Sequence, residues 1–342
     1  MKIGIVTVYD GVSNVGSYLQ AYAMQRTLEK LGHQVYFVEK TTVPERIWQH
    51  IARLNPKRAF FLRLTSGWNY LQAARAFRFV KPEQAAQMLD GLLFGSDEIW
   101  NMDNPYFRDP LFFGSGCDLP KIAYAVSVGA MEQKTLDDNR HVAEGVKSFR
   151  EILVRDDRTR EMIGALLERS LEMACDPTFL VELPEIQKPA PIPNEKYILV
   201  YSYGLDEPMI HNIRQFAAEK KLKIVSAHFW HHFCDRVISC DLLQFGSLID
   251  GADYVFTSTF HGAIFAMRNH TRCAILPVRD KVRDVAVRMG QASRLVTADV
   301  SYEKFRDVLT GVFDKEGFEL RLEEIRTASL DKLKEALECL KN

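Results

Sequence analysis

Lys2-Ile-Gly-Ile-Val-Thr-Val8, with Tyr18-Leu-Gln-Ala-Tyr-Ala-Met-Gln-Arg-Thr-Leu-Glu-Lys-Leu31, Gly32 and Val35-Tyr-Phe-Val38 after it, decides the fold class. Ile3–Val8 is a largely β-branched run of the kind that fills a strand covered on both faces, as in a parallel sheet. Polar Asp10–Ser17 follows. Apolar residues then recur at helical spacing over Tyr18–Leu31, and Gly32 stands where a left-handed C-cap closes a helix. Val35–Val38 is a second apolar strand. Strand, loop, helix, glycine and strand make a βαβ unit with an expected right-handed crossover.

The alternation continues outward. Apolar runs at Gly91–Phe94, Lys121–Val126 and Ile152–Val154 extend it, each followed by a loop or a helix-compatible segment. Pro184, Pro189, Pro191 and Pro193 then cluster as a linker signature. The second half restarts with strand Tyr197–Tyr201, helix Glu207–Lys220, strand Lys223–Ala227, strand Tyr254–Thr257 and helix Gly262–Arg268. A charged amphipathic helix near Leu320–Leu340 ends it. The expected architecture is α/β, with two Rossmann-like doubly wound domains at 1–185 and 196–342, the second carrying the terminal helix, joined by a Pro-rich linker at 186–195. Ligands of open parallel sheets sit beyond the carboxyl ends of the strands, so a cleft between two such edges is the expected active site.

Composition narrows the classes. The chain has 342 residues, 47% hydrophobic and 26% charged, which is enough for two globular cores. Its 44 Lys plus Arg against 45 Asp plus Glu leave a net charge of −1, so no global field draws it to nucleic acid and any anion site is local. Six scattered cysteines lack a disulfide framework and fit reduced thiols in a cytoplasm. The first apolar run is too short for a signal peptide, and no stretch has the roughly 18 apolar residues of a membrane span. The expected location is the cytoplasm, with room for contact at the inner face of a membrane.

Four motifs carry chemistry. Asn14-Val-Gly16-Ser17 lies between the first strand and the first helix, where it is either an anion or sugar site on backbone N–H groups or a tight turn with Ser17 near the N-cap. Gly95-Ser96-Asp97-Glu98-Ile-Trp100-Asn101 follows a strand. Its Ser96, Asp97 and Asn101 suit sugar hydroxyls beside an aromatic ring, or else form a capped turn with Trp100 in the core. Arg155, in Val154-Arg-Asp-Asp157, is a forked clamp for a carboxylate or phosphate, or an ion-pair partner of Asp156 or Asp157. The sharpest constellation is Tyr254-Val-Phe-Thr-Ser258-Thr259-Phe260-His261-Gly262-Ala263. There a buried strand runs into a helix with free N–H groups, two hydroxyls and a histidine able to move a proton near neutral pH.

These motifs, with Leu19-Gln-Ala-Tyr-Ala23, Tyr124-Ala-Val-Ser127-Val-Gly129 and Asp176-Pro-Thr178, resemble the polysaccharide pyruvyl transferase family in order and spacing over residues 1 to about 280. The resemblance implies a GT-B-like two-domain transferase with acceptor on the N-terminal side and donor on the C-terminal side. It also implies phosphoenolpyruvate as donor substrate, no cofactor or metal, and a sugar or lipid-linked oligosaccharide of an exported polysaccharide as acceptor, giving a pyruvyl ketal. By that likeness His261 is the acid or base. Arg155, Ser258, Thr259, Phe260 and Gly262 bind the donor, while Asn14, Gly16, Ser17, Ser96, Asp97, Asn101 and Ser127 bind the acceptor. Thr259-Phe260-His261 stands where some branches place Arg-Leu-His, which leaves Arg268, Arg272 or Arg279 to supply a second cation. The alternatives are a GT-B glycosyltransferase with a nucleotide-sugar donor and a non-catalytic glycan-binding protein.

Two clusters stand apart. His228-Phe-Trp-His231-His232-Phe-Cys234-Asp235 with Cys240 holds metal-ligand types without zinc-site spacing, and reads as an acceptor-side loop lining the cleft. Arg46, Arg53, Lys57, Arg58, Arg63, Arg75, Arg78 and Lys81 are interleaved with aromatics over residues 46–81. That segment is either a solvated helical face or a surface for anionic lipid.

Overall fold

The computed structural model describes residues 1–9, 15–40, 72–116, 118–190 and 192–341. Seven strands form the first sheet: β1 (Lys2–Val6), β2 (Gln34–Val38), β3 (Phe79–Val80), β4 (Gly91–Phe94), β5 (Lys121–Val126), β6 (Glu151–Val154) and β7 (Glu172–Met173). Their order is β3-β2-β1-β4-β5-β6-β7. β8 (Tyr197–Tyr201), β9 (Lys223–Ala227), β10 (Arg236–Ile238), β11 (Tyr254–Thr257) and β12 (Cys273–Ile275) form the second, ordered β10-β9-β8-β11-β12. Every ladder is parallel, as the unbroken apolar runs require of strands covered on both faces. The expected α/β class with two doubly wound sheets is borne out. In both sheets the chain reverses direction of travel beside the first strand, and the loops there open onto the carboxyl edge.

The first helix is Val15–Lys30, and Gly32 follows it at φ 84°, in the left-handed region that a C-cap glycine supplies. The proline-rich stretch is not free of contacts: Lys188 donates its N–H to Leu243 O, and Ser247 Oγ donates to Lys188 O. The terminal helix, Lys315–Glu338, returns to the first sheet. Its Ser329 Oγ accepts from Cys175 N, and its Arg326 Nε donates to Phe179 O. A second tie is Arg268, at the end of helix Phe260–Arg268. Only 4% exposed, it donates to Thr178 O and, at 2.6 Å, to Val181 O. These ties fix the segment after β7 against the second sheet.

Of the basic stretch, residues 46–71 lie outside the described residues; Arg75, Arg78 and Lys81 are exposed around β3. No described helix is long and apolar enough to cross a membrane.

Candidate active site

Asp176, Arg155, Asp97 and His261 meet where the two carboxyl edges face each other. Asp176, just after β7, is 2% exposed, and its Oδ1 accepts from the N–H and hydroxyl of Thr178. Its Oδ2 lies 3.4 Å from Arg155 Nη1, 3.4 Å from Ser96 Oγ and 3.6 Å from His261 Nε2. Arg155 Nη2 donates to Asp97 Oδ1 at 3.2 Å, and the guanidinium lies 4.8 Å above the Phe260 ring. Burial alone would push the Asp176 carboxyl up, but His261, Arg155 and the Thr178 hydroxyl outweigh it and hold it well below the ordinary carboxylate range. Asp97 is likewise held down against burial, by Lys281, Arg155 and His261. Both carboxylates are therefore ionised at neutral pH.

His261 is the second residue of helix Phe260–Arg268, whose N-cap is Thr259: the Thr259 hydroxyl accepts from Gly262 N at 3.0 Å. The imidazole is 7% exposed, and Nε2 is buried with no hydrogen-bond partner. That nitrogen faces the ionised Asp176 carboxylate at 3.6 Å, just beyond hydrogen-bond length, so a small approach completes the pair. The opposite face of the ring rests on Gly16. A Cβ there would stand 2.8 Å from His261 Cβ and closer still to Cγ and Nδ1. Only a glycine lets the first turn of helix Val15–Lys30 approach this ring.

Gln20 ties the wall behind the site together. Its Nε2 donates to Val8 O, Ser17 O and Thr7 Oγ1, and its Oε1 accepts from Ser96 N. Gln20 is fully buried, and its sequence signal was a single amide among the apolar residues of Tyr18–Met24.

Three cavities adjoin the cluster. The first, about 220 Å³, is walled by Asp97, Tyr203, Ser258, Thr259, Phe260 and His261 among others. The second, about 590 Å³, contains Arg155, Asp176 and Phe260 in its wall, and the third, about 580 Å³, contains Glu98, Asn101 and Ser127. Lys281, in helix Asp280–Arg288, borders all three. Its Nζ lies 2.6 Å from Glu98 Oε1 and 3.9 Å from Asp97 Oδ1. Arg279 Nη1 lies 3.4 Å from the other Glu98 oxygen. Burial would raise the Glu98 carboxyl, yet Lys281 holds it below the ordinary range.

Several expected residues sit differently. Ser258, Thr259, Phe260 and His261 come together as expected, but the Gly262 N–H is spent on the Thr259 cap, and Gly262 is a packing position whose Cβ would meet the Tyr201 ring at 2.9 Å. Arg155 pairs with neither Asp156 nor Asp157; Asp156 instead caps helix Asp157–Leu167. Of the acceptor group, Asp97 borders the first cavity and Asn101 and Ser127 the third. Ser96 and Ser17 are fully buried in the wall, Gly16 lies under His261, and Asn14 is outside the described residues. Trp100 offers no stacking face, being fully buried with Nε1 donating to Phe112 O. Arg268 is spent on carbonyls, and exposed Arg272 precedes β12 at the far edge of the sheet, so neither supplies the second cation. The histidine cluster is tied internally, His228 Nε2 to Cys240 Sγ at 3.3 Å and His231 Nε2 to Ser202 O at 3.1 Å. Among the described residues no group of three His, Cys, Asp or Glu is placed to hold a metal ion. Sequence reasoning missed Glu98, Asp176, Lys281 and Tyr203 as site residues.

Comparison with known proteins agrees with this geometry. Among solved structures, a UDP-GlcNAc 2-epimerase from Methanocaldococcus jannaschii is 10% identical with a TM-score of 0.56, covering 96% of this chain and 100% of its own. Anabaena Alr3699/HepE in complex with UDP and glucose is 8% identical with a TM-score of 0.57, covering 98% and 100%. The spinosyn forosaminyltransferase SpnP is 11% identical with a TM-score of 0.51, covering all of both chains. At such identities the likeness shows the fold alone, and that fold is the GT-B arrangement of glycosyltransferases and epimerases. Among curated proteins none matches the sequence. The family profile described as polysaccharide pyruvyl transferase matches residues 14–280, which span β2 through β12 and every cluster residue above except Lys281. The chain belongs to the polysaccharide pyruvyl transferase family.

Proposed function

We propose that the protein transfers a pyruvyl group from phosphoenolpyruvate to hydroxyls of a sugar in a polysaccharide precursor, with His261 as the proton-transferring residue. The observation that carries the reading is the buried His261–Asp176 pair, Nε2 to Oδ2 at 3.6 Å, in which His261 also borders a cation-flanked cavity: an imidazole held by a carboxylate and set beside positive charge for an anionic donor. In the reaction the donor's methylene carbon takes a proton from His261 and becomes a methyl group, while a sugar oxygen bonds to C2 and its hydroxyl proton replaces the one His261 gave up. The C2–O bond to phosphate then breaks and phosphate leaves. When a second hydroxyl of the same sugar takes its place, the product is a ketal and the hydroxyl proton leaves with phosphate.

Each residue has a task in that sequence. His261 delivers the proton to the methylene carbon, and ionised Asp176 fixes the ring. Arg155 acts as the brace that keeps Asp97 and Asp176 apart and ionised, a role that fits its two ion pairs better than a free clamp. Asp97 and Tyr203, both bordering the first cavity, position the sugar. Thermal shifts test the donor, because a ligand that binds only the native state raises its apparent stability. Phosphoenolpyruvate is expected to raise the melting temperature. A rise with a nucleotide diphosphate and none with phosphoenolpyruvate would replace the reading with glycosyl transfer.

A further inference from the structure

His261 and Arg268 stand seven positions apart in helix Phe260–Arg268, two turns, and so share one face of it at an axial separation of about 10 Å. That face lies along the segment after β7. At the helix start His261 Nε2 faces Asp176 Oδ2 at 3.6 Å, and at its end Arg268 donates to Thr178 O and, at 2.6 Å, to Val181 O. Between those points Ile264 and Phe265 share one buried core with Phe179, Leu180 and Val181. The helix that carries the histidine is therefore held at both ends on the stretch that carries its carboxylate.

That stretch is stiff enough to transmit position. Asp176 caps the short turn Pro177–Phe179, its Oδ1 accepting from Thr178 N at 3.0 Å and from the Thr178 hydroxyl at 2.7 Å, so the carboxylate moves with the turn. Arg326 Nε takes Phe179 O, between the two carbonyls that Arg268 holds. Arg268 is 4% exposed; burial lowers its pKa only to about 10, so it stays charged at neutral pH, and among the described residues it pairs with no carboxylate. A buried cation answered by neutral carbonyls is costly, and an apolar side chain would fill the same space without that cost. An apolar side chain would not fix two carbonyls with one planar, forked donor.

We infer that Arg268 is a positioning residue for the reaction: by forking onto Thr178 O and Val181 O it holds Asp176 within reach of His261, from the opposite end of the same helix. It borders none of the three cavities, so it acts on the pair and not on a ligand. The catalytic consequence rests on the function proposed above; the positional one does not. Arg294 supplies a matched control. It is 2% exposed and likewise donates to carbonyls, those of Val308, Gly311 and Val312, all outside the segment that carries Asp176 and outside the three cavities.

The test compares wild type, Arg268→Lys, Arg294→Lys, Asp176→Asn and the Arg268→Lys, Asp176→Asn double variant by melting temperature, by the His261 ring signals of ¹⁵N-histidine-labelled protein, assigned by their loss in His261→Ala, and by pyruvyl-transfer kinetics. Lysine keeps the cation and loses the fork, and Arg268→Gln takes its place if the lysine variant does not fold. In Arg268→Lys the ring signals should move toward their positions in Asp176→Asn, and turnover should fall about 10²-fold at unchanged donor KM, the cost of a misplacement of on the order of 1 Å. Arg294→Lys should lose stability and leave both at wild-type values. In the Asp176→Asn background Arg268→Lys should cost little further turnover, because the two act as one unit. Wild-type ring signals in a folded Arg268 variant, or equal losses of turnover in Arg268→Lys and Arg294→Lys, overturn the inference. If the ring signals move as expected but wild type transfers no pyruvyl group, the positioning stands and the proposed function falls.

Discussion

Replacing Gly16 by alanine adds one methyl group at the point where helix Val15–Lys30 touches the His261 ring. The new Cβ would stand 2.8 Å from His261 Cβ and nearer to Cγ and Nδ1, whereas unstrained carbon contacts lie at about 3.5–4.0 Å. The ring must therefore retreat by on the order of 1 Å, and a misplacement of that size costs about 10²-fold in rate. Stability responds less: overpacking costs about 1–3 kcal/mol, while alanine in a helix returns up to about 1 kcal/mol over glycine. The assay is pyruvyl transfer at saturating donor with melting temperature on the same preparation. Gly16→Ala should lose about two orders of magnitude in turnover with a shift of a few degrees. In the His261→Ala background the added methyl should cost little, because its target is gone. A Gly16→Ala enzyme with wild-type turnover would refute the idea that this contact places the ring.

Acid should undo the cluster before the rest of the fold. Asp97, Glu98 and Asp176 are all held below their ordinary pKa, so as pH falls the unfolded chain takes up protons first; their contribution is present above about pH 5 and is lost progressively as pH falls from there through their lowered native values. Urea melts across that range should show wild type losing stability steeply and Asp176→Asn starting about 3–5 kcal/mol lower with a flatter acid limb, because the variant leaves Arg155 half-paired. His228 gives a second window: burial lowers it to about 4, so stability should fall between roughly pH 6.5 and 4, and His228→Asn should flatten that slope. Arg268→Met should destabilise the protein by about 2–5 kcal/mol in denaturant melts, since it leaves the carbonyls of Thr178 and Val181 unpaired.

The long strands were legible because short apolar runs bounded by polar or turn residues leave little choice: Gly91–Phe94, Lys121–Val126, Tyr197–Tyr201, Lys223–Ala227 and Tyr254–Thr257 stand where the sequence puts them. β3, β7, β10 and β12 were not, having only two or three residues each, too few for a period to show. His261 was legible from its strand-to-helix junction. Its partner was not, since nothing local to Asp176-Pro-Thr178 says that the carboxylate reaches a helix of the other sheet. Trp100 misled as a sugar platform because its indole N–H finds Phe112 O, a contact between neighbouring loops that spacing does not encode. Lys281 reads from sequence as one more charge on an amphipathic helix; only the convergence of three cavity walls sets it apart.

The central claim is that His261 moves the proton in pyruvyl transfer, and isotope-traced turnover tests it most directly. Incubating ¹³C-labelled phosphoenolpyruvate with candidate polysaccharide precursors and following label into the glycan, alongside phosphate release, should show stoichiometric transfer by wild type. His261→Ala should lose about 10²–10⁴ in rate while remaining folded, because Asp176 keeps Arg155, Ser96 and Thr178 as partners. Wild-type label transfer by a folded His261→Ala protein would contradict the account.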